Sequence, residues 1–291
     1  MNEEHPMTTQ PVSNARLASL ADEFHRLHVP GKPLRLANAW DAGSARLIES
    51  CGAAAIATTS AGLAWAHGYP DGDVLPPSLL SSAVAEIARV LSVPLSVDAE
   101  GGYSDDPKAV GEVVRAIVNA GGIGINIEDG SASPDLLVAK IAAARTAAGA
   151  SGVNLFINAR TDVYLRGLVH ADRAIDETLQ RAARYRDAGC DGIFVPAVTD
   201  PDAIRTIAAA VELPLNVLVV PNLPPMAALA DLGVARVSAG SGIAQVAAGV
   251  VQRVATEFLA DGRFEPLLER TVDYAQLNAL HTAGRRAQRS L

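Results

Sequence analysis

The 291 residues are 49% hydrophobic, 19% charged and 4% aromatic, enough apolar material for a sizeable core and too much for wholesale disorder. A net charge of −8 argues against a nucleic-acid partner, and apolar runs broken by Gly, Pro or charge argue against a membrane partner. Cys51 and Cys190 supply neither a disulfide framework nor a zinc cluster, and the acidic, polar N-terminus lacks a secretory apolar core, so a cytoplasmic protein is expected.

Residues 1–12 are expected to form a disordered tail, followed by one catalytic domain over 13–262. Within that domain short apolar runs at 34–40, 53–60, 93–100, 123–129, 153–162, 192–198, 214–221 and 235–241 alternate with Ala-rich helical stretches. Uninterrupted apolar strands belong to a parallel sheet covered by helices on its outer face. Asp41, Asp106 before Pro107 and Asp200 before Pro201 read as helix caps. Gly52, Gly121, Gly189 and Gly233 each stand four residues before the apolar residue that starts a strand, as left-handed helix ends do. Eight such units predict a (β/α)8 TIM barrel; a doubly wound sheet would need a Gly-rich fingerprint where this chain has NAWDAGSA. Residues 263–291 predict a C-terminal helical extension, either packed on its own barrel or swapped onto a neighbouring subunit.

In such a barrel the active site is built at the C-terminal strand ends. Strand 1 ends at Asn38 and Asp41; strand 2 ends at Thr58–Gly62, before a long loop carrying His67, Asp71 and Asp73. Strand 3 ends in Asp98, Glu100 and Tyr103, strand 4 in Asn126, Glu128 and Asp129, and strand 5 in Asn158, Arg160 and Asp162. Strands 6 to 8 are expected to add little charge, offering Pro196, Asn216, Asn222, Ser238 and Ser241. Asp98 and Glu100, two apart on one strand, point the same way, and Glu128 arrives from the adjacent strand. Three converging carboxylates need a cation, and an oxygen-only set selects Mg²⁺, with Mn²⁺ as its substitute. Asp41, Asp129 and Asp162 read as helix caps or loop residues.

A buried Arg160 needs an anionic partner, either a substrate carboxylate or phosphonate or Glu128. His67 and His170 lack zinc-hydrolase spacing and read as loop residues. Lys32, Lys108 and Lys140, the only lysines, lie off the axis-facing strands, which disfavours a Schiff-base aldolase.

The segments NAWDAGSARLIE, TTSAGLAWAHGYPDGD, SVDAEGGYSD, GINIEDG, FINARTD and DGIFVPAV resemble, in that order, the isocitrate lyase/phosphoenolpyruvate mutase superfamily. The resemblance covers residues 34–241 and is closest to the PEP-mutase-like branch that binds α-keto acids. It implies a Mg²⁺-dependent barrel that makes or consumes a pyruvate-type enolate. It makes Asp98 the metal-contacting acid, with Asp71, Glu100 and Glu128 as water-mediated metal partners. Thr59, Ser60 and Ala61 would hold a substrate carboxylate, with Trp40 and Arg160 completing the substrate site. It also implies a homo-oligomer, dimer or tetramer, with an exchanged C-terminal helix. The family's lyase lid, with its Lys-Lys/Arg-Cys-Gly-His motif, is missing: Glu128-Asp129 is followed by GSASPDLLVAK.

Asp71, Asp98, Glu100 and Glu128 set four negative charges against Arg160, so an anionic substrate requires a divalent ion. The expectation is a Mg²⁺-dependent carbon–carbon lyase or decarboxylase acting on a small 2-keto or 2-hydroxy (di)carboxylic acid through a metal-stabilised enolate, oxaloacetate decarboxylation being the simplest case. Asp71, Arg160 and Tyr103 are its catalytic candidates, with Tyr103 or a metal-bound water as proton donor. Phosphonopyruvate hydrolase or PEP-mutase-type P–C chemistry is the second expectation. A catalytically weak α-keto-acid-binding protein is the third.

Overall fold

Each apolar run contributes one short parallel strand. These are β1 (Leu34–Ala39), β2 (Ile56–Thr58), β3 (Leu95–Asp98), β4 (Gly124–Glu128), β5 (Phe156–Arg160), β6 (Gly192–Val195), β7 (Leu215–Leu218) and β8 (Arg236–Ser238). They pair in chain order, and β8 pairs with β1 to close the expected eight-stranded barrel. This computed structural model describes residues 13–269 and 271–287, so the expected tail at 1–12 and the last residues of the extension lie outside the described residues.

The helices are α1 (Asn14–Leu27), α2 (Ala42–Ser50), α3 (Ser60–Ala66), α4 (Pro77–Val90), α5 (Pro107–Asn119), α6 (Pro134–Ala150), α7 (Ala174–Asp187), α8 (Pro201–Ala210), α9 (Met226–Asp231), α10 (Gly242–Asp261) and α11 (Tyr274–Ala287). Asp41, Asp106 and Asp200 accept from backbone N–H groups in the first turns of α2, α5 and α8, as caps should. Gly52, Gly121, Gly189 and Gly233 all have positive φ at the ends of the preceding helices. The strands are shorter than the apolar runs because the run ends are already turns or caps: Thr59, inside the 53–60 run, is the N-cap of α3. The segment expected to be one long loop after strand 2 therefore begins with a two-turn helix, whose Leu63 and Ala64 are buried.

The N-terminal mouth of the barrel is closed from below by α1, which buries Leu17, Ala21 and Phe24. The Phe24 ring meets Phe156 edge-on at 5.3 Å, and His28 stacks on Phe156 at 4.1 Å. Gly124 is required here, because a Cβ on it would lie 2.9 Å from the Phe24 ring. At the other end of the chain α11 runs back against α2 and α4, and Arg46 Nε donates to the Leu280 carbonyl at 3.2 Å. α10 behaves differently: of its twenty residues only Ala244 is buried, while Val246, Val250, Val251, Phe258 and Leu259 are exposed. Among the described residues no helix is long and apolar enough to cross a membrane.

Candidate active site at the C-terminal mouth

The turn after β3 organises the site. Asp98 is its last strand residue; its N–H donates to Thr58 Oγ1 at 2.9 Å, and its Oδ2 accepts from Ser60 N–H at 3.3 Å. Its other oxygen, Oδ1, is buried without a hydrogen-bond partner. Glu100 does not continue the strand, as the two-residue spacing suggested, but adopts a left-handed backbone with φ 49°. Gly102 and Tyr103 are left-handed too, at 91° and 60°, so the chain reverses and returns Glu100 to the site through a turn instead of through the pleat.

The turn is laced to the loop after α3. Glu100 Oε2 accepts from Gly72 N–H at 2.9 Å and from Asp73 N–H, while Glu100 Oε1 accepts the Tyr103 hydroxyl at 2.8 Å. Asp73 Oδ1 accepts in return from Tyr103 N–H at 3.0 Å. The approach at Gly101 is so close that a Cβ would stand 2.6 Å from Asp73 Oδ2. Behind the turn Lys140 is buried, its Nζ donating to the Gly101 carbonyl at 2.7 Å. Asp73 is thus the loop carboxylate joined to the site. Asp71, two residues earlier, is exposed and makes no hydrogen bond or ion pair among the described residues.

The second half of the site lies across β4 and β5. Arg160 is gripped from two sides: Nη1 pairs with Glu128 Oε2 at 2.5 Å, and Nε and Nη2 donate to Asp162 at 2.6 and 3.0 Å. Asp162 is fully buried and also accepts from Arg166 Nε at 2.8 Å. Its backbone N–H donates to Asp129 Oδ1 at 2.9 Å, and Asp129 Oδ2 accepts from Arg181 Nη1 at 2.8 Å and the Tyr185 hydroxyl at 2.7 Å. Asp129 and Asp162 are not caps: they lie in the loops just past β4 and β5, as loop residues were expected to, but buried and paired. They form a buried relay that ties the β5 end, and with it Arg160, to α7.

These contacts decide the charges. Burial lifts the Glu128 carboxyl to about 8, opposed by Arg160 and reinforced by Asp98 and Asp162. Burial also raises Glu100; the Asp73 N–H and Tyr103 hydroxyl pull it back, and the Asp73 and Asp98 charges push it up. For Asp73 desolvation is again the largest cause of a raised pKa. Burial and then Glu100 keep the Tyr103 phenol protonated. Burial opposes the Arg160 charge, but Glu128 and Asp162 more than offset it, so the guanidinium stays cationic.

Around this centre Trp40 is half-buried at the end of β1, with its Cβ 3.1 Å from the position a Cβ on Gly62 would take. Thr59 caps α3, Ser60 N–H is engaged by Asp98, and Ala61 is buried in the first turn. The structure thus brings together Thr59, Ser60, Asp98, Glu100, Tyr103, Glu128 and Arg160, with Trp40 and Ala61 alongside; His67 and His170 are exposed. Among the described residues no three His, Cys, Asp or Glu side chains converge tightly enough to hold a metal ion alone. Strands 6 to 8 are not charge-poor in the interior: Arg236 on β8 is fully buried inside the barrel. A charged residue at an inward position of VARVSAG was the available signal.

The chain matches the phosphoenolpyruvate phosphomutase family model over residues 24–259. It is 42% identical over 262 residues to an uncharacterized protein of Mycobacterium tuberculosis H37Rv, covering 88% of this chain and 95% of that one. It is 29% identical over 213 residues to 2-methylisocitrate lyase of Escherichia coli K12, covering 65% of this chain and 69% of the enzyme. A Burkholderia cenocepacia J2315 protein whose crystal structure carries a provisional phosphonomutase name superposes with a TM-score of 0.79 at 40% identity, over 83% of this chain and 99% of that one.

Proposed function

Since the chain belongs to the phosphoenolpyruvate phosphomutase family, within the isocitrate lyase/PEP mutase superfamily, we propose that it is a cytoplasmic Mg²⁺-dependent carbon–carbon lyase or decarboxylase for a small 2-keto or 2-hydroxy dicarboxylate, with oxaloacetate as the first candidate. One observation carries the reading: Asp98 Oδ1, buried and unpartnered, stands among carboxylates whose pKa values are raised by burial first and then by one another's charge.

That donor set fits a divalent cation. Asp98 has a free oxygen, whereas Glu100 and Glu128 are already engaged by N–H, O–H and guanidinium donors, so they suit a cation that keeps most of its waters, as Mg²⁺ does. When bound, the cation supplies positive charge against the carboxylates and against the enolate that develops as the bond breaks. The chain's residues do the rest. Arg160, immobilised by Glu128 and Asp162, keeps N–H groups free to take a substrate carboxylate in a fixed plane. Trp40, Thr59 and Ala61 line the first turn of α3. Tyr103 holds a proton at its phenolic oxygen against Glu100, which supports it as the donor to the product carbanion. Asp73 holds the turn in place, and Asp71 lies exposed on the same loop.

P–C bond chemistry on phosphonopyruvate is the second reading, favoured by the provisional phosphonomutase name of the protein at 40% identity. The uncovered apolar stripe of α10 supports a homo-oligomer in which a second copy seats on that helix.

The test is NMR of the Mg²⁺-loaded protein, with an EDTA control, against oxaloacetate, 2-methylisocitrate, isocitrate, dimethylmalate and phosphonopyruvate. Metal-dependent release of a keto acid is the expected result. Phosphate from phosphonopyruvate would move the assignment to the second reading, and silence with a keto acid still bound would leave a binding protein.

A further inference from the structure

The barrel interior holds a charge that the reading above does not use. Arg236, the first residue of β8, is 0% exposed. Its Nη2 crosses the barrel to β4, the strand opposite, and donates to Asn126 Oδ1 at 3.1 Å. Its Nε donates to Ser238 Oγ at 3.2 Å. Asn126 Oδ1 also accepts from Asn158 Nδ2 at 2.9 Å, and Ser238 Oγ donates on to Asn216 Oδ1 at 3.2 Å. Every one of these partners is neutral. Arg181, the other buried arginine among the described residues, is by contrast paired with Asp129 and Glu177.

Three further buried atoms in this layer, Arg236 Nη1, Asn216 Nδ2 and Ser96 Oγ, have no partner among the described residues. Below the guanidinium the Phe24 ring lies 6.0 Å from its central carbon, closing the barrel to water from that side. On the site's side Asn126 is the register neighbour of Asp98, and Asp98 is the carboxylate whose charge acts on Arg236. Burial lowers the Arg236 pKa to about 9, which leaves the side chain cationic at neutral pH.

We propose that Arg236 is a positioning residue of the site described above: a fixed, unpaired positive charge in the barrel floor, held by neutral groups so that its field acts on the carboxylate rim and on whatever binds there. Among the described residues no carboxylate within ion-pair distance neutralises it, so the charge is exerted through the low-dielectric interior. The inference rests on the reading that Asp98 and its neighbours hold a divalent cation and an anionic substrate. It makes a demand that a structural role does not: the charge opposes cation binding and favours anion binding, so its removal must move the two affinities in opposite directions.

The experiment measures Mn²⁺ affinity of the metal-free protein by electron paramagnetic resonance, and oxalate affinity of the Mn²⁺-saturated protein by calorimetry. Oxalate is the probe because it is a small planar dicarboxylate with the charge expected of the substrate. In Arg236→Met, Mn²⁺ binds about tenfold tighter or more and oxalate about tenfold weaker or more. Arg236→Gln, which can keep hydrogen bonds to Asn126 and Ser238, gives the same signs and serves if the Met variant does not fold. Arg236→Lys keeps the charge and leaves both constants within about threefold of wild type, whatever happens to its melting temperature. Both affinities falling together in the neutral variants, or neither moving, overturns the proposal. Wild-type protein that binds neither Mn²⁺ nor oxalate overturns the metal-site reading instead, and this assignment with it.

Discussion

Replacing Asp162 by Asn tests how Arg160 is held. Asp162 is fully buried and its two oxygens take three guanidinium N–H groups, two from Arg160 and one from Arg166. An Asn of the same shape offers one acceptor and turns an NH₂ group toward two cations. Breaking one side of a buried ion pair costs about 3–5 kcal/mol. Glu128 remains as a second carboxylate on Arg160, so the lower end, about 3 kcal/mol, is expected. For a chain of this size that lowers the melting temperature by roughly 6–12 °C. The same change lets the guanidinium swing toward Glu128, so Mg²⁺-dependent oxalate binding weakens by about tenfold or more. Calorimetric melting and oxalate titration of Asp162→Asn against wild type read both effects. A variant that melts with wild type and binds oxalate equally would show that Glu128 alone positions Arg160, and the relay through Asp129 would lose its role.

Asp98→Asn removes the free buried oxygen, so Mg²⁺ at a hundred times its dissociation constant stabilises wild type by about 2.7 kcal/mol and the variant hardly at all, read as metal-dependent melting shifts. Without metal the variant is no less stable than wild type, because it relieves repulsion among carboxylates. Tyr103→Phe deletes the hydroxyl on Glu100 and lowers kcat by about 10²–10⁴ with little change in KM; a loss under threefold removes Tyr103 as proton donor. His28 is driven down to about 3 in the folded protein, by burial first and then by the Arg236 charge, from an ordinary 6.5. Between those two values the unfolded chain binds a proton that the folded chain does not, so stability falls on acidification by up to about 1.4 kcal/mol per pH unit. Urea unfolding at pH 7, 5.5 and 4 should show this slope in wild type and lose it in His28→Gln; parallel profiles would contradict it.

What the sequence made legible was what local chemistry dictates. A left-handed helix end selects Gly at 52, 121, 189 and 233, and a first turn with free N–H groups selects Asp at 41, 106 and 200, wherever the rest of the chain goes. Asp129 and Asp162 read as caps or loop residues because each stands just past the end of a strand, and their pairing is not visible from that position. The partners of Asp129, Arg181 and Tyr185, lie 52 and 56 residues beyond it, a distance that only the closed barrel removes, whereas Asp162 pairs with the nearby Arg160 and Arg166 and is joined to Asp129 through its backbone N–H. Arg236 was overlooked for the same reason: its significance depends on facing inward opposite Asn126, 110 residues away. Asp71 and Asp73 both sit in GYPDGD, and the choice between them rests on the left-handed turn at 100–103, which no spacing rule announces.

That turn also has a thermodynamic meaning. Of the five non-glycine residues with left-handed backbones among the described residues, Asp73, Glu100 and Tyr103 belong to one ring of mutual hydrogen bonds, each holding another. Such conformations store on the order of 1–3 kcal/mol apiece, and they persist only while their surroundings over-determine them. The three are therefore coupled: loss of any one contact lets the others relax, and substitutions there combine non-additively. The loops after α3 and β3 are thereby tied into a single cooperative unit by the same backbone that brings Glu100 to the site.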